Sequence, residues 1–331
     1  MSRRKTKQKL ILAVAACIVT AAAAGVGIRQ YQHNKKMAIS QTGEGTSSSG
    51  KDIVWNGQTY TYNEHLSNYL FLGIDNREIK DTQTGQTDAG QSDSLYLISW
   101  DRVENTLTRV NIPRDTMTEI EVFSMNGNSM GLSEDHISLA YGFGDGKHES
   151  CKLSKEAVSR LFYDIPIQGY CSISMDALPV LTETVGEFTV TVPNDSLETA
   201  NPDYKKGTTI TLTKDNTEQF VRYRDVESAQ SALRRMERQE VFLDAFGKKV
   251  KERFSQHPQI VAELYENLQP YMVTNISNDQ FVKLMESADK GENTQWTIPG
   301  EGVEGEYYDE YHVDDDAFKE KVIETFYVEA K

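Results

Sequence analysis

Apolar residues follow three kinds of pattern along this chain, and each pattern predicts a different element. An uninterrupted apolar run covers residues 10–28, close to the roughly 20 residues that cross a bilayer as a helix. A short continuous apolar run at 69–74 is typical of a strand buried on both faces, and two more short strands are predicted at 95–100 and 107–112. Helical periodicity is clearest at 229–254, which predicts a long amphipathic helix.

The order of these patterns predicts strands interleaved with helices. Further strands are expected at 170–175 and 188–192, with a hairpin at 54–60 around an Asn-Gly turn. Shorter helices are expected at 153–163, 177–184, 216–224, 258–268, 279–288 and 315–327. This order predicts a three-layer α/β/α sandwich with a mixed central sheet, preceded by one N-terminal transmembrane helix. Residues 113–146 show no clear pattern, and their length predicts a functional loop or lid.

The residues around the long apolar run predict its orientation. Five basic residues precede it, Arg3, Arg4, Lys5, Lys7 and Lys9, and fewer follow, which favours a cytoplasmic N-terminus. The expected organisation is a cytoplasmic tail, a transmembrane helix, a flexible Ser- and Gly-rich linker and an extracellular domain, at 1–9, 10–29, 30–51 and 52–331. A cleaved signal peptide is the main alternative, although the run is long for one. Lipidation at Cys17 is a weaker alternative.

Composition narrows the function classes. The 331 residues carry a formal net charge of −15, so the electrostatic footprint of a nucleic-acid-binding protein is absent. Cys151 and Cys171 lie beyond the predicted membrane helix, where a disulfide is permitted; two small buried thiols are the alternative. No Cys and His spacing matches a zinc site.

A cluster of arginines stands out in this acidic chain. The segment 222–238 contains no lysine and five arginines: Arg222, Arg224, Arg234, Arg235 and Arg238. The planar guanidinium grips phosphate or carboxylate in a bidentate way that lysine cannot match. The cluster therefore indicates a pyrophosphate clamp. A solvated helix face paired with nearby glutamates is the alternative.

Charged residues also follow two of the predicted buried strands directly. Asp75 comes after the strand at 69–74, and Arg114 and Asp115 come after the strand at 107–112. Ligands of open α/β sheets bind beyond the carboxyl ends of strands. These residues therefore mark the expected mouth of a site, with a local turn salt bridge as the alternative.

Five short motifs in order resemble one family. They are GIDNR from Gly73, QSDS from Gln91, NIPRDT from Asn111, VRYR from Val221 and RMERQ from Arg235. Together they resemble the LytR–CpsA–Psr family of bacterial cell-envelope proteins, over residues 69–246. Any one motif is weak, whereas five in the right order are specific.

The resemblance implies a membrane-anchored phosphotransferase with an α/β/α sandwich. Such an enzyme moves a glycopolymer, such as a teichoic acid or a capsule, from a polyprenyl-pyrophosphate carrier onto a peptidoglycan hydroxyl. It implies a hydrophobic tunnel for the lipid and a divalent metal, Mg²⁺ or Mn²⁺. The alternatives are a non-catalytic polyprenyl-phosphate-binding or regulatory envelope protein and a polyprenyl-pyrophosphate pyrophosphatase.

The resemblance also implies roles for individual residues. Asp75 and Asp93 would be metal ligands, and Arg114, Asp115 and Asp93 would be catalytic, with Asp115 or Asp93 as the base. The pyrophosphate would be held by Arg77, Arg114, Arg222, Arg224, Arg235, Arg238 and Gln239. The chain departs from the family where Gln91 replaces an arginine and where Ser231 and Ala232 replace a Gly-Asp pair.

Overall fold

The computed structural model describes residues 52–225, 230–257, 259–277, 280–281, 283–284, 287 and 293–330. The expected cytoplasmic tail, transmembrane helix and linker lie outside these residues, as does part of the helix expected at 279–288. Within the described part, no helix combines the length and apolar character that crossing a membrane requires.

Strands and helices alternate irregularly along the described chain. The strands are β1 (Ile53–Trp55), β2 (Gln58–Tyr62), β3 (Leu66–Ile74), β4 (Ser92–Asp101), β5 (Thr106–Ile112), β6 (Met117–Phe123), β7 (Ser129–His136), β8 (Gly169–Ser174), β9 (Phe188–Thr191), β10 (Thr209–Leu212), β11 (Met272–Thr274), β12 (Thr294–Thr297), β13 (Gly300–Glu304), β14 (Asp309–Val313) and β15 (Tyr327–Glu329). The α-helices are α1 (His148–Leu161), α2 (Ala177–Val185), α3 (Thr217–Arg222), α4 (Ser231–Gln256), α5 (Ile260–Leu268) and α6 (Asp315–Phe326).

A six-stranded sheet in the order β11-β8-β3-β4-β5-β12 forms the centre. The pairs β3–β8 and β5–β12 are parallel, and the other pairs are antiparallel, so the expected mixed central sheet is confirmed. It follows that β3, β5, β8 and β12 all end at one edge, where β4 begins. We call this the carboxyl edge.

Alternating side chains of the sheet enter two separate cores. Phe71 of β3 packs in a cluster with Phe246 of α4, together with residues of α2, α3 and α5. Its neighbour Leu70 faces the other way, into a cluster with Val158 of α1 and Phe318 of α6. Burying one such side chain fully contributes roughly 1.5–3 kcal/mol, so helices on both faces stabilise the sheet.

The expectation of a loop or lid at 113–146 is wrong. This stretch contains the β6–β7 hairpin and a 3₁₀ turn at Ile137–Tyr141. Ile120 of β6 is fully buried, whereas β7 is largely exposed. Because β7 buries so little apolar surface, its sequence lacks the alternation that marks a strand.

The chain beyond residue 270 completes the sheet. Strand β11 is the outermost strand on one side of the sheet, paired with β8, and β12 is the outermost strand on the other side, paired with β5. The β13–β14 hairpin reaches the carboxyl edge, where Tyr311 forms an isolated bridge with Thr116. Cys151 and Cys171 are both buried and unbridged, so the small-buried-thiol alternative holds.

Candidate active site

The carboxyl edge brings residues of four motifs together. Asp75 follows β3, Asp93 is the second residue of β4, and Arg114 lies two residues beyond β5. Arg235 reaches the same place from the first turns of α4. The expectation that the strand ends after 74 and 112 meet at one edge is therefore confirmed.

Asp93 lies between two guanidinium groups. Arg235 makes a two-point contact, with Nη1 to Oδ2 at 2.7 Å and Nη2 to Oδ1 at 3.0 Å. Arg114 Nη1 donates to Oδ1 from the other side. Burial lowers the pKa of Arg235, the negative charge of Asp93 opposes that shift, and nearby Arg114 and Arg224 add to it. The arginines are thus held close together by a carboxylate that offsets their charge.

Arg114 is fixed through every nitrogen of its side chain. Its Nε donates to Asp115 Oδ1 at 3.0 Å, and its Nη2 contacts Gln91 Oε1 and Ser138 Oγ. The amide oxygen of Gln91 accepts from Arg114. This neutral acceptor holds Arg114 in the orientation that contacts Asp93, and it adds no further positive charge.

Asp75 lies beside Gln91 and Asp93. Its Oδ1 accepts a hydrogen bond from the Gln91 backbone N–H at 2.7 Å. Burial raises the pKa of Asp75, the Gln91 hydrogen bond opposes this, and the neighbouring charge of Asp93 raises it further. Gly90 permits the approach: with φ of +89°, a Cβ there would lie 2.6 Å from Asp75 Oδ1.

Arg222 and Arg77 form the rim of the site. Arg222 Nη2 lies 3.5 Å from the Asp75 carbonyl oxygen, and its Nη1 pairs with Glu218 at 3.0 Å. Arg77 is 65% exposed and contacts Glu218 and Asp176. The Arg222 guanidinium therefore lies beside Asp75, and the Arg77 guanidinium shares the Glu218 carboxylate with it nearer the surface.

Arg224 and Arg238 lie at the start of α4 but in different surroundings. Arg224 is partly exposed; its Nε donates to Ser231 Oγ at 2.6 Å. Arg238 is fully buried and donates to Phe220 O at 2.8 Å, to Tyr223 O and to Ser196 Oγ. Burial lowers the pKa of Arg238 to about 10. Its position is that of a residue fastening α3 to α4 beneath the other arginines.

A small cavity of about 10 Å³, room for about one water molecule, opens next to Asp93. Its lining combines the polar side chains of Arg114, Asp115 and Gln239 with the apolar side chains of Leu95, Ile112, Leu233 and Met236. Gln239 is itself buried. A group at this position would meet both charged and apolar side chains.

Sequence reasoning missed a buried polar layer between α4 and β5. Arg109 is 2% exposed and lies 3.5 Å from Asp244, and Asn111 donates to Glu240. Burial raises the pKa of both Glu240 and Asp244, and the charge of Arg109 opposes this. The sequence signal that could have indicated this layer is the pairing of two acids four residues apart on α4 with two polar residues on one face of β5.

Two carboxylates of this site are candidate ligands for a divalent cation, but both oxygens of Asp93 accept hydrogen bonds from Arg114 and Arg235, so Asp93 would have to exchange a guanidinium contact for the ion. Asp75 and Asp93 are hard oxygen donors at adjoining strand ends, the donor type that Mg²⁺ takes when phosphate and water complete its shell. No group of three or more His, Cys, Asp or Glu side chains within the described residues is arranged to hold a metal. An ion here would thus depend on a phosphate ligand.

The family is established by the sequence as a whole. A family model described as "LytR_cpsA_psr family" matches residues 26–324, so this chain belongs to the LytR–CpsA–Psr family. Among curated relatives, a polyisoprenyl-teichoic acid–peptidoglycan teichoic acid transferase TagU of Bacillus cereus (strain AH820) is 29% identical over 269 residues, covering 79% of this chain and 78% of the relative. The TagU of Bacillus mycoides (strain KBAB4) is 29% identical over 256 residues, covering 75% and 74%.

Solved structures agree on the fold. TagV of B. subtilis has a TM-score of 0.58 at 22% identity, covering 79% of this chain and 97% of that one. A structure of TagT bound to LI-WTA has a TM-score of 0.58 at 20% identity, covering 79% and 89%. The mixed α/β architecture is thus that of other members of the family.

Proposed function

We propose that this chain is a membrane-anchored phosphotransferase that moves an anionic glycopolymer from a polyprenyl-pyrophosphate carrier onto peptidoglycan. The observation that carries the proposal is the clamp of Arg114 and Arg235 around Asp93, beside Asp75 and the apolar side chains of the cavity. The names of the TagU relatives support the teichoic acid class of substrate.

The reaction is a displacement at phosphorus. The acceptor hydroxyl oxygen forms a bond to the phosphorus that bears the glycopolymer, while the bond from that phosphorus to the bridging pyrophosphate oxygen breaks. Polyprenyl phosphate leaves, and the product is a phosphodiester. Arg114, Arg222 and Arg235 supply positive charge where the transferred and leaving phosphates gain negative charge.

Asp115 is the favoured base for the hydroxyl proton. Both oxygens of Asp93 accept from guanidinium groups, and its side chain is 4% exposed. Asp115 is 14% exposed, lines the cavity and pairs with Arg114 Nε at 3.0 Å. Its position at the cavity allows direct contact with an acceptor hydroxyl.

Asp75 and Asp93 would hold Mg²⁺ or Mn²⁺, which supplies positive charge to the pyrophosphate oxygens when bound. Gln239, Arg77 and Arg224 complete the pyrophosphate-binding set, and Arg238 supports it from beneath. The apolar side chains of Leu95, Ile112 and Met236 would contact the start of the lipid. Residues 10–29 would anchor the chain, with the N-terminus cytoplasmic and the site outside.

A reconstituted transfer assay tests this function. The full-length chain in liposomes, supplied with lipid-linked polymer, peptidoglycan and Mg²⁺, should form the phosphodiester. Arg114→Ala and Arg222→Ala should each lose about 100-fold or more, the scale of removing one charge-stabilising group. Arg102→Ala is the control, because Arg102 lies in the β4–β5 turn at the opposite edge and contacts His65 O.

The same assay separates the alternatives. Hydrolysis of the carrier without transfer would instead indicate a pyrophosphatase, and tight binding without turnover a regulatory protein. Full activity in both arginine variants would overturn the assignment of the site.

A further inference from the structure

Asp309 lies outside the family motifs, in a hairpin near the end of the described chain, yet it reaches the candidate site. We propose that Asp309 is a positioning residue of the pyrophosphate site that acts through Arg224. This inference rests on the proposed function, because it concerns the same site.

The Asp309 carboxylate contacts both sides of the link between α3 and α4. Its Oδ2 accepts from the Gln230 backbone N–H at 2.7 Å and lies 3.9 Å from Arg224 Nη2. Arg224 Nε meanwhile donates to Ser231 Oγ at 2.6 Å. Arg224 is therefore oriented between the hydroxyl that begins α4 and a carboxylate delivered from elsewhere in the fold.

The hairpin that carries Asp309 is itself firmly attached. Tyr311 N donates to Asp115 O at 2.8 Å, and Tyr311 Oη donates to Ile298 O at 2.6 Å. His136 Nε2 of β7 lies 3.0 Å from the Asp309 carbonyl oxygen. Because these contacts fix both flanks of Asp309, its carboxylate has a defined place beside Arg224.

Electrostatics explain why a carboxylate is useful here. Arg224 and Arg114 both lie close enough to Arg235 for their charges to lower its pKa. Asp93 pairs with Arg114 and Arg235, whereas the carboxylate beside Arg224 is that of Asp309. Asp309 offsets the third charge, and its separation from Arg224 exceeds a hydrogen bond, so Arg224 can still turn toward an arriving phosphate.

The contact also compensates for a departure in the sequence. The first turn of α4 carries Ala232 rather than an acid, so that turn supplies no carboxylate of its own. The hairpin brings one to the same helix end, where a negative charge is also favourable to the helix dipole. Asp309 thus gives the site an acid that the motifs do not contain.

Asp309→Asn isolates the charge. The asparagine Oδ1 can still accept from Gln230 N–H, so the fold is retained while Arg224 loses its ionic partner. With the full-length chain in detergent micelles and Mg²⁺ present, isothermal titration with inorganic pyrophosphate should show affinity about fivefold weaker, the upper range for a partly exposed ion pair. Thermal melting should match that of the unsubstituted chain.

The control is the next residue. Glu310 pairs with His312 at 2.7 Å in the same hairpin, so Glu310→Gln should bind pyrophosphate like the unsubstituted chain. In an Arg224→Ala background, Asp309→Asn should cause no further loss, because Asp309 acts through Arg224.

Affinity unchanged by Asp309→Asn, or a full additional loss in the Arg224→Ala background, would overturn the inference. A chain that binds pyrophosphate but transfers no polymer overturns the function alone, and the double-variant comparison still decides the role of Asp309. An unsubstituted chain that binds no pyrophosphate overturns both.

Discussion

Arg235 and Asp93 form a buried two-point ion pair that joins the first turns of α4 to the start of β4. Their sequence positions are 142 residues apart, and both side chains are about 5% exposed or less. The pair therefore serves the fold and the site together, since it fixes the helix that supplies the clamp.

Arg235→Lys should show that stability and transfer require the two-point contact of the guanidinium with Asp93, and not only its positive charge. A lysine can meet one oxygen of Asp93 but not both, so a buried carboxylate loses a partner. We expect a loss of about 3 kcal/mol in the free energy of unfolding and at least about 100-fold in transfer. Arg234→Lys is the matched control at the adjacent position; equal losses in both variants would contradict this account. Urea denaturation and the transfer assay measure the two effects.

Arg238→Lys should lower the free energy of unfolding, because Arg238 stabilises the fold and does not bind the ligand directly. The buried guanidinium of Arg238 donates to two carbonyls and a hydroxyl that belong to the segments around α3. A lysine cannot satisfy all three, so we expect a loss of about 2–3 kcal/mol in urea denaturation. Unchanged stability together with lost pyrophosphate affinity would instead make Arg238 a direct ligand.

Gly90→Ala should displace Asp75. The added Cβ would lie 2.6 Å from both Asp75 Oδ1 and Asn76 Nδ2, in a backbone conformation with φ of +89°. Gly131 has a φ of +92° with nothing within 4 Å of its Cβ position, so Gly131→Ala carries the backbone strain alone. We expect both variants to lose about 1 kcal/mol from strain, and only Gly90→Ala to lose Mg²⁺-dependent pyrophosphate binding by titration calorimetry. Equal binding in the two variants would contradict the role of this close contact.

Glu240→Gln should flatten the pH dependence of stability. Burial raises the pKa of Glu240 in the folded state, so the folded protein holds its proton to higher pH than the unfolded chain does. Stability therefore falls as pH rises from the ordinary carboxyl pKa to the raised one. The glutamine variant lacks this titration, and its unfolding free energy by urea between about pH 4 and 7 should fall less. An identical slope would show that Glu240 does not titrate in this range.

The sequence predicted the parts of the fold and site whose signals are local. The run before Asp75 is apolar because β3 is covered on both faces, whereas β5 before Arg114 alternates apolar residues with the polar residues Thr108, Arg109 and Asn111. A charged residue directly after such a strand is a strong sign of a site. The order of the five motifs then identified the family.

The rest depends on contacts between distant segments. Glu240 has the spacing of a surface helix charge, and only the facing strand shows that it is half-buried against Asn111. Strands β13 and β14 are short, and of their ten residues only Tyr311 is buried, so their sequences lack apolar alternation. Asp309 could not be foreseen because its place beside Arg224 is set by the hairpin contacts and not by neighbours in sequence.

The parallel pairing of β12 with β5 shows that the five motifs depend on a segment that lies outside them. Thr108 and Thr294 are 186 residues apart, and their hydroxyls meet at 2.9 Å in the last strand to join the sheet. A relative could keep all five motifs and still lack the segment that closes this edge and carries the hairpin. Its arginines would lack the strand and the hairpin that hold them together, so the presence of the motifs alone does not show that the site is functional.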